Sequence, residues 1–335
     1  MRRIIPLFAL IASLSTLFGA CTKPAEYRYC EGATWGTTYH ITYAATDNLD
    51  DSIIAVMKSV EMSLSPFADS SVISRVNRGE SLDIDSMVAK VFRASQQVNR
   101  LSDGAFDPTI APLVNLWGFG YKNGTGDPTK AQIDSALALV GIMECGIADG
   151  KIVKKNAATE FNFSAITKGY GCDLIGEMLR RNGCDNFMVE IGGEMALAGV
   201  NAHGEKWHVQ IDAPVASTDS VVHQQMSVVS ISDCGVATSG NYRNFRDTSR
   251  GRVGHTISPT DGLPVATSTL SVTVIAPDCM NADALATACM AMPLEKAKAM
   301  IESVDRTEAM FIVAHPEAAD SLLTVTTSRF PALLK

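Results

Sequence analysis

The chain has 335 residues, 46% hydrophobic and 19% charged, a balance that excludes a disordered polymer and suits a globular body with a substantial core. A formal net charge of −8, a pI near 5.3 and the lack of any basic stripe exclude a general nucleic-acid binder. None of the eight cysteines forms a CxxC pair and no Cys/His spacing matches a zinc site, which excludes the common zinc-bound folds.

Met1-Arg2-Arg3, an apolar run from Ile4 to Phe18 and then Gly19-Ala20-Cys21 read as an export signal, too short to persist as a spanning helix. The Cys directly after two small residues looks like a lipobox, with Cys21 becoming a lipid-bearing N-terminus, although Phe18 departs from the usual aliphatic choice. Simple secretion with Cys21 incidental is the alternative. The expected organisation is a signal peptide over 1–20, a tether over 21–33 and one folded domain over 34–335, about 300 residues, enough for a large core. With Cys21 set aside, seven cysteines remain at 30, 145, 172, 184, 234, 279 and 289. They read as small buried residues, with a bridge or two possible in an exported chain.

An alternating run at 34–43 predicts a strand, and helical patterns follow at 49–63, 69–77 and 85–101. Residues 108–121 are apolar with Gly punctuation, a buried turn or short helix, and 122–127 form a surface loop. Asp127-Pro128-Thr129 opens another helix, with Pro128 at the first helical position. Short apolar runs at 142–149, 159–163, 186–191, 195–201, 206–212, 226–232, 270–276 and 309–314 predict strands, and 166–182, 279–291 and 294–303 predict helices. Neighbouring strands joined by short turns, with helices gathered elsewhere, predict an α+β domain with a mixed or antiparallel sheet and flanking helices.

Four clusters carry chemistry. In NADALATACMA at 281–291, Asp283 and Thr287 stand four apart on a helix, so a carboxylate and a hydroxyl share one face, a pair suited to Mg²⁺ but also to a solvated surface. In NFSAITKGYGCD at 162–173, Lys168 sits in the first turn of a helix, where backbone N–H groups attract anions; taken alone, a surface Lys and a Ser164 cap explain it as well. VEIGGEM at 189–195 allows close backbone approach or is an ordinary turn. VATSGNYRNF at 236–245 and GHTISPTDG at 254–262 bring hydroxyls, an Arg and His255, a candidate base near neutral pH, though a lone loop His is more often polar surface.

These clusters, with the opening WGTTY at 35–39, SPFADSSVISRVN at 65–77 and GAFDPTIAPLVNLWGFG at 104–120, make the whole mature chain resemble the ApbE family of flavin transferases. The resemblance implies a Mg²⁺-dependent enzyme that splits FAD and passes FMN to a Thr or Ser hydroxyl of an exported acceptor, releasing AMP. It implies metal ligation by Asp283, Thr287 and the backbone of Ala165, with Ala286 as a further backbone ligand. Flavin-nucleotide contacts fall on Trp35, Phe67, Ala105, Phe106, Asp107, Asn162, Lys168 and Ile257, and His255 is the base toward the acceptor hydroxyl. The acceptor is expected to be a subunit of a membrane electron-transfer complex, reached from a lipid-anchored position in the bacterial cell envelope. Phe67 stands where relatives often carry Tyr, Asn162 where some carry Asp, and Ser258 where Asp is frequent, which bears on cofactor affinity. An FAD pyrophosphatase and a non-catalytic FAD-binding lipoprotein are the competing readings.

Overall fold

The computed structural model describes residues 25–122, 124, 127–214, 225–241, 245–249, 251–315 and 321–334. The expected signal peptide, Cys21, and Tyr242 and Arg243 of the 236–245 cluster lie outside the described residues. No described helix is long and apolar enough to cross a membrane.

The chain opens with a hairpin, β1 (Glu26–Thr34) and β2 (Thr37–Ala45), then three helices, α1 (Asp50–Leu64), α2 (Val72–Arg78) and α3 (Ser86–Leu101). A 3-10 turn at Pro108–Ile110 runs into α4 (Ala111–Leu116), and α5 (Lys130–Leu137) follows. After a second 3-10 turn at Ile142–Glu144 come the small hairpin β3 (Gly146–Ala148) and β4 (Lys151–Val153) and the long helix α6 (Ser164–Arg181). Then come β5 (Phe187–Ile191), β6 (Glu194–Ala198), β7 (Trp207–Asp212), β8 (Gln225–Ile231), β9 (Cys234–Gly240) and the hairpin β10 (Phe245–Thr248) and β11 (Gly251–Gly254). The chain ends with β12 (Thr269–Ala276), α7 (Cys279–Met290), α8 (Leu294–Glu302), β13 (Glu308–Ala314), β14 (Leu322–Thr326) and β15 (Leu333–Leu334).

Eight strands pair in the order β1-β2-β5-β6-β9-β12-β13-β14, every neighbour antiparallel. Side chains alternate across such a sheet, and β12 and β13 are buried on both faces. From β12 and β13, Val272, Val274, Ala309 and Phe311 point into a core shared with α3, α6 and α7, whereas Ile275, Met310 and Ile312 point the other way. That second face is covered by the three-stranded sheet β15-β8-β7 through Trp207, Val209, Ile211 and Val229. The architecture is thus the expected α+β single domain, with helices on one face of a large antiparallel sheet and a small sheet on the other.

Local signals explain the helices. Asp85 caps α3 by accepting from Val88 N at 2.9 Å, and Val88, Val91, Phe92, Ser95 and Val98 form its buried stripe. Thr129 and Gln132 close a capping box on α5, so Pro128 precedes the cap and does not occupy the first helical turn as expected. Asp278 caps α7 through Asn281 N at 2.8 Å.

Other expectations need correction. Most of the expected tether is strand β1, and the single strand expected at 34–43 is instead a hairpin turned at Trp35 and Gly36, whose φ values of 48° and 76° fit the tight mirror-image turn that antiparallel strands prefer. The run at 159–163 joins no sheet: Phe161 N donates to Asn77 Oδ1 at 2.8 Å and Asn162 N to the Pro108 carbonyl at 2.7 Å. The run at 142–149 divides into a 3-10 turn and β3. All seven described cysteines are free.

Candidate active site

Above the point where α6 begins and α7 crosses it lies a cleft of about 470 Å³. Trp35, Phe67, Ala105, Phe106, Asp107, Asn162, Ala165, Lys168, His255, Ile257, Asp283 and Thr287 all line it. Segments up to about 250 residues apart in sequence meet here because antiparallel pairing returns the chain to the same edge repeatedly. Ala286 does not line the cleft; it is fully buried in the core packed against α7.

The floor is built by close helix approach. A Cβ on Gly169 would lie 2.3 Å from the Cys279 carbonyl oxygen, so only glycine lets α6 and α7 come this close. The Gly169 N–H donates to Asp283 Oδ2 at 3.0 Å. In an uninterrupted helix that N–H belongs to the carbonyl of Ala165, so the carboxylate competes for the donor and leaves lone-pair capacity on a carbonyl at the cleft wall. One turn beyond Asp283, Thr287 Oγ1 lies 3.4 Å from Ser239 Oγ of β9.

Lys168 ion-pairs with Glu194, which opens β6 behind the Gly192–Gly193 turn and whose side chain is only 4% exposed. Burial pushes both Glu194 and Asp283 up, with Lys168 pulling the other way. Burial alone would depress Lys168, but the carboxylates of Glu194 and Asp283 outweigh it and hold the ammonium above its ordinary range. The cluster is therefore a fixed positive charge beside two desolvated carboxylates. The chemistry of Glu194 was not legible from the sequence; an acidic residue directly after a double glycine was the only signal.

The upper walls are aromatic. Trp35 packs its indole where a Cβ on Gly171 would collide at 2.5 Å, and its Nε1 is buried without a hydrogen-bond partner among the described residues. Phe67, 65% exposed, stands at the mouth with its ring edge-on to Tyr121, centroids 6.0 Å apart. His255 faces Phe119 across 6.3 Å, and Ile257 is packed between the cleft and Trp117. Two of the expected contacts have structural work as well. Both Asp107 oxygens accept from the protein, Oδ1 from Thr109 N at 2.8 Å and Oδ2 from Ile142 N at 3.0 Å, while Asn162 Oδ1 accepts from Ser164 N at 3.0 Å. Burial raises the Asp107 carboxyl against those bonds. Ser258, by contrast, is turned to its own loop, near Thr260.

The ApbE family profile matches residues 35–311. The FAD:protein FMN transferase of Vibrio cholerae is 35% identical over 303 residues, covering 88% of this chain and 89% of that protein. That of Haemophilus influenzae is 32% identical over 318 residues, covering 90% and 91%. Among solved structures, the flavin transferase ApbE from Vibrio cholerae superposes with a TM-score of 0.80 at 33% identity, covering 92% of this chain and 99% of that one. The apo flavinyl transferase ApbE of Pseudomonas stutzeri also gives 0.80, at 30% identity, covering 92% and 96%. The matched span and the identity to these relatives show that this chain belongs to the ApbE family.

Proposed function

We propose that this chain is a FAD:protein FMN transferase, which moves the FMN part of FAD onto a Thr or Ser hydroxyl of an exported acceptor protein and releases AMP. The observation that carries the reading is the convergence of an aromatic wall, the Lys168 ammonium and the Asp283 and Thr287 oxygens in one cleft. A flat ring system suits Trp35 and Phe67, and a diphosphate suits Lys168. The donor set also fits a hard divalent cation, since a carboxylate, a hydroxyl and a carbonyl with spare lone-pair capacity are all oxygens. Asp283, Thr287 and the Ala165 carbonyl would hold Mg²⁺, which would supply positive charge to offset that of the diphosphate and the leaving AMP.

The chain's own residues do the rest. Trp35, wedged against Gly171, orients the ring, and Lys168 anchors a phosphate oxygen. As the acceptor oxygen bonds to the FMN phosphorus, the bond from that phosphorus to the AMP oxygen breaks, and His255 takes the hydroxyl proton. Incubation with FAD, Mg²⁺ and a candidate acceptor is expected to give a fluorescent protein band on a denaturing gel. Free FMN alone would instead favour a pyrophosphatase, and bound but intact FAD a carrier. We further propose that the domain is held at the cell envelope through a lipidated Cys21, facing an acceptor subunit of a membrane electron-transfer complex. Labelled palmitate is expected in the wild-type chain and not in C21S.

A further inference from the structure

The Gly192–Gly193 turn, with φ values of 64° and 101°, is fixed from two sides: Gly193 N donates to Glu190 Oε1 at 2.5 Å, and Cys172 Sγ donates to the Glu194 carbonyl at 3.3 Å. Such bracing holds Glu194 in place. Its Oε1 meets Lys168, but its Oε2 is buried with no hydrogen-bond partner among the described residues. A buried carboxylate oxygen without a donor costs free energy, and native interiors tolerate few of them. Glu194 nevertheless lines the same cleft as Asp283 and Thr287.

Charge identifies the missing donor. Lys168 supplies one positive charge against two carboxylates, Glu194 and Asp283, all three interacting electrostatically in a desolvated floor. A ligand hydroxyl would satisfy Oε2 but add no positive charge to a floor in which burial disfavours the ionised form of both carboxyls. A hydrated divalent cation supplies both the donor and the charge. Resting on the metal-dependent reading above, we infer that Glu194 belongs to the metal site: its Oε2 accepts a hydrogen bond from hydration water of the cation that Asp283 and Thr287 hold. Residues in this outer position orient what the direct ligands bind, and their loss typically weakens metal affinity about 10–100-fold.

The test is Mn²⁺ binding to flavin-free protein, followed by electron paramagnetic resonance, for wild type, E194Q and D283A. E194Q keeps one oxygen for Lys168 and turns an NH₂ group, which cannot accept, toward the cleft. E194Q is expected to bind Mn²⁺ about 10–100-fold more weakly with near wild-type thermal unfolding, and D283A to lose binding. Wild-type Mn²⁺ affinity in E194Q together with loss in D283A overturns this inference and leaves the proposed function standing. Wild-type affinity in D283A removes the metal reading itself. Should E194Q fail to fold, E194D carries the same expectation, because it keeps the charge but withdraws the carboxylate by one methylene.

Discussion

Adding a single methyl group at Gly169 tests whether the spacing of α6 and α7 sets the site. A Cβ there would sit 2.3 Å from the Cys279 carbonyl oxygen and 2.8 Å from Asp283 Cβ, where ordinary contact begins near 3.4 Å. Neither neighbour is the loose end of a side chain, so the helices must part by about an ångström, which costs about 1–3 kcal/mol. Stretching the Gly169 N–H bond to the Asp283 carboxylate costs about 1.5–3 kcal/mol more, against about 1 kcal/mol gained from the helix preference of Ala over Gly. G169A is therefore expected to lose about 1.5–5 kcal/mol in urea unfolding. Moving Asp283 by that distance should also cut FMN transfer about 100-fold. G176A on the same helix is the control, because the nearest atoms its Cβ would meet are those of the Phe187 ring, at 3.0 Å, a side chain and not backbone. Wild-type stability and rate in G169A would refute the claim that this contact places the carboxylate.

K168M leaves Glu194 and Asp283 without their counter-charge and is expected to destabilise the fold by about 3 kcal/mol; the double variant K168M/E194M should regain most of that stability and none of the turnover, checked by urea unfolding beside the gel assay. Burial raises Asp173 from 3.8 to about 7, while Cys279 N and Met280 N oppose the shift. Between those values the folded chain holds a proton that the unfolded chain has released, so the stability from this group is complete below about pH 4 and is lost as pH rises to about 7. From pH 5 to pH 7 the loss should be about 2 kcal/mol, and D173N should show a correspondingly flatter profile in urea titrations. Trp35 lines the cleft while Trp117 and Trp207 are buried elsewhere, so FAD should quench the tryptophan emission of wild type much more than that of W35F.

How much of this was legible in the sequence differs by element. The stripe and caps of α3 and α7 are local, and both helices lie within a residue of their expected limits. β9, with the sequence CGVATSG, is absent from the expected strands, yet it is a central one, paired with β6 and β12, and α7 lies so close that a Cβ on Gly235 would meet Cys279 N at 2.1 Å. Small residues there answer to a helix that follows it in the chain, which no local pattern reveals. The run at 159–163 failed in the opposite way. Its apolar content is genuine core, with Phe161 and Phe163 fully buried, but Asn77 satisfies the Phe161 backbone where a strand neighbour was expected. Within the site, the i,i+4 spacing placed Asp283 and Thr287 on one helix face, but only the company of the other clusters and the family resemblance set them apart from a solvated surface. Glu194 was not legible, since its meaning depends on a lysine from another element.

The cleft floor runs against folding preference. A core optimised for stability would not bury two carboxylates beside a single ammonium, and replacing such a set by apolar residues of similar volume is often neutral or stabilising. Here the cost is localised where α6 and α7 meet, and the surrounding structure is arranged to hold it. Gly169 and Gly235 permit close approach, the α7 cap at Asp278 and the Asp173 carboxylate fix the first turn of α7, and Glu190 braces the turn behind Glu194. Relaxation would let the carboxylates reach water or the lysine swing away, and each of these restraints opposes it. The outcome is a floor of two desolvated carboxyl groups and one ammonium beneath an aromatic wall, held in place by the fold itself. A non-catalytic flavin carrier would need the wall and Lys168 but not this floor, and that is the physical reason the transferase reading is preferred to the carrier.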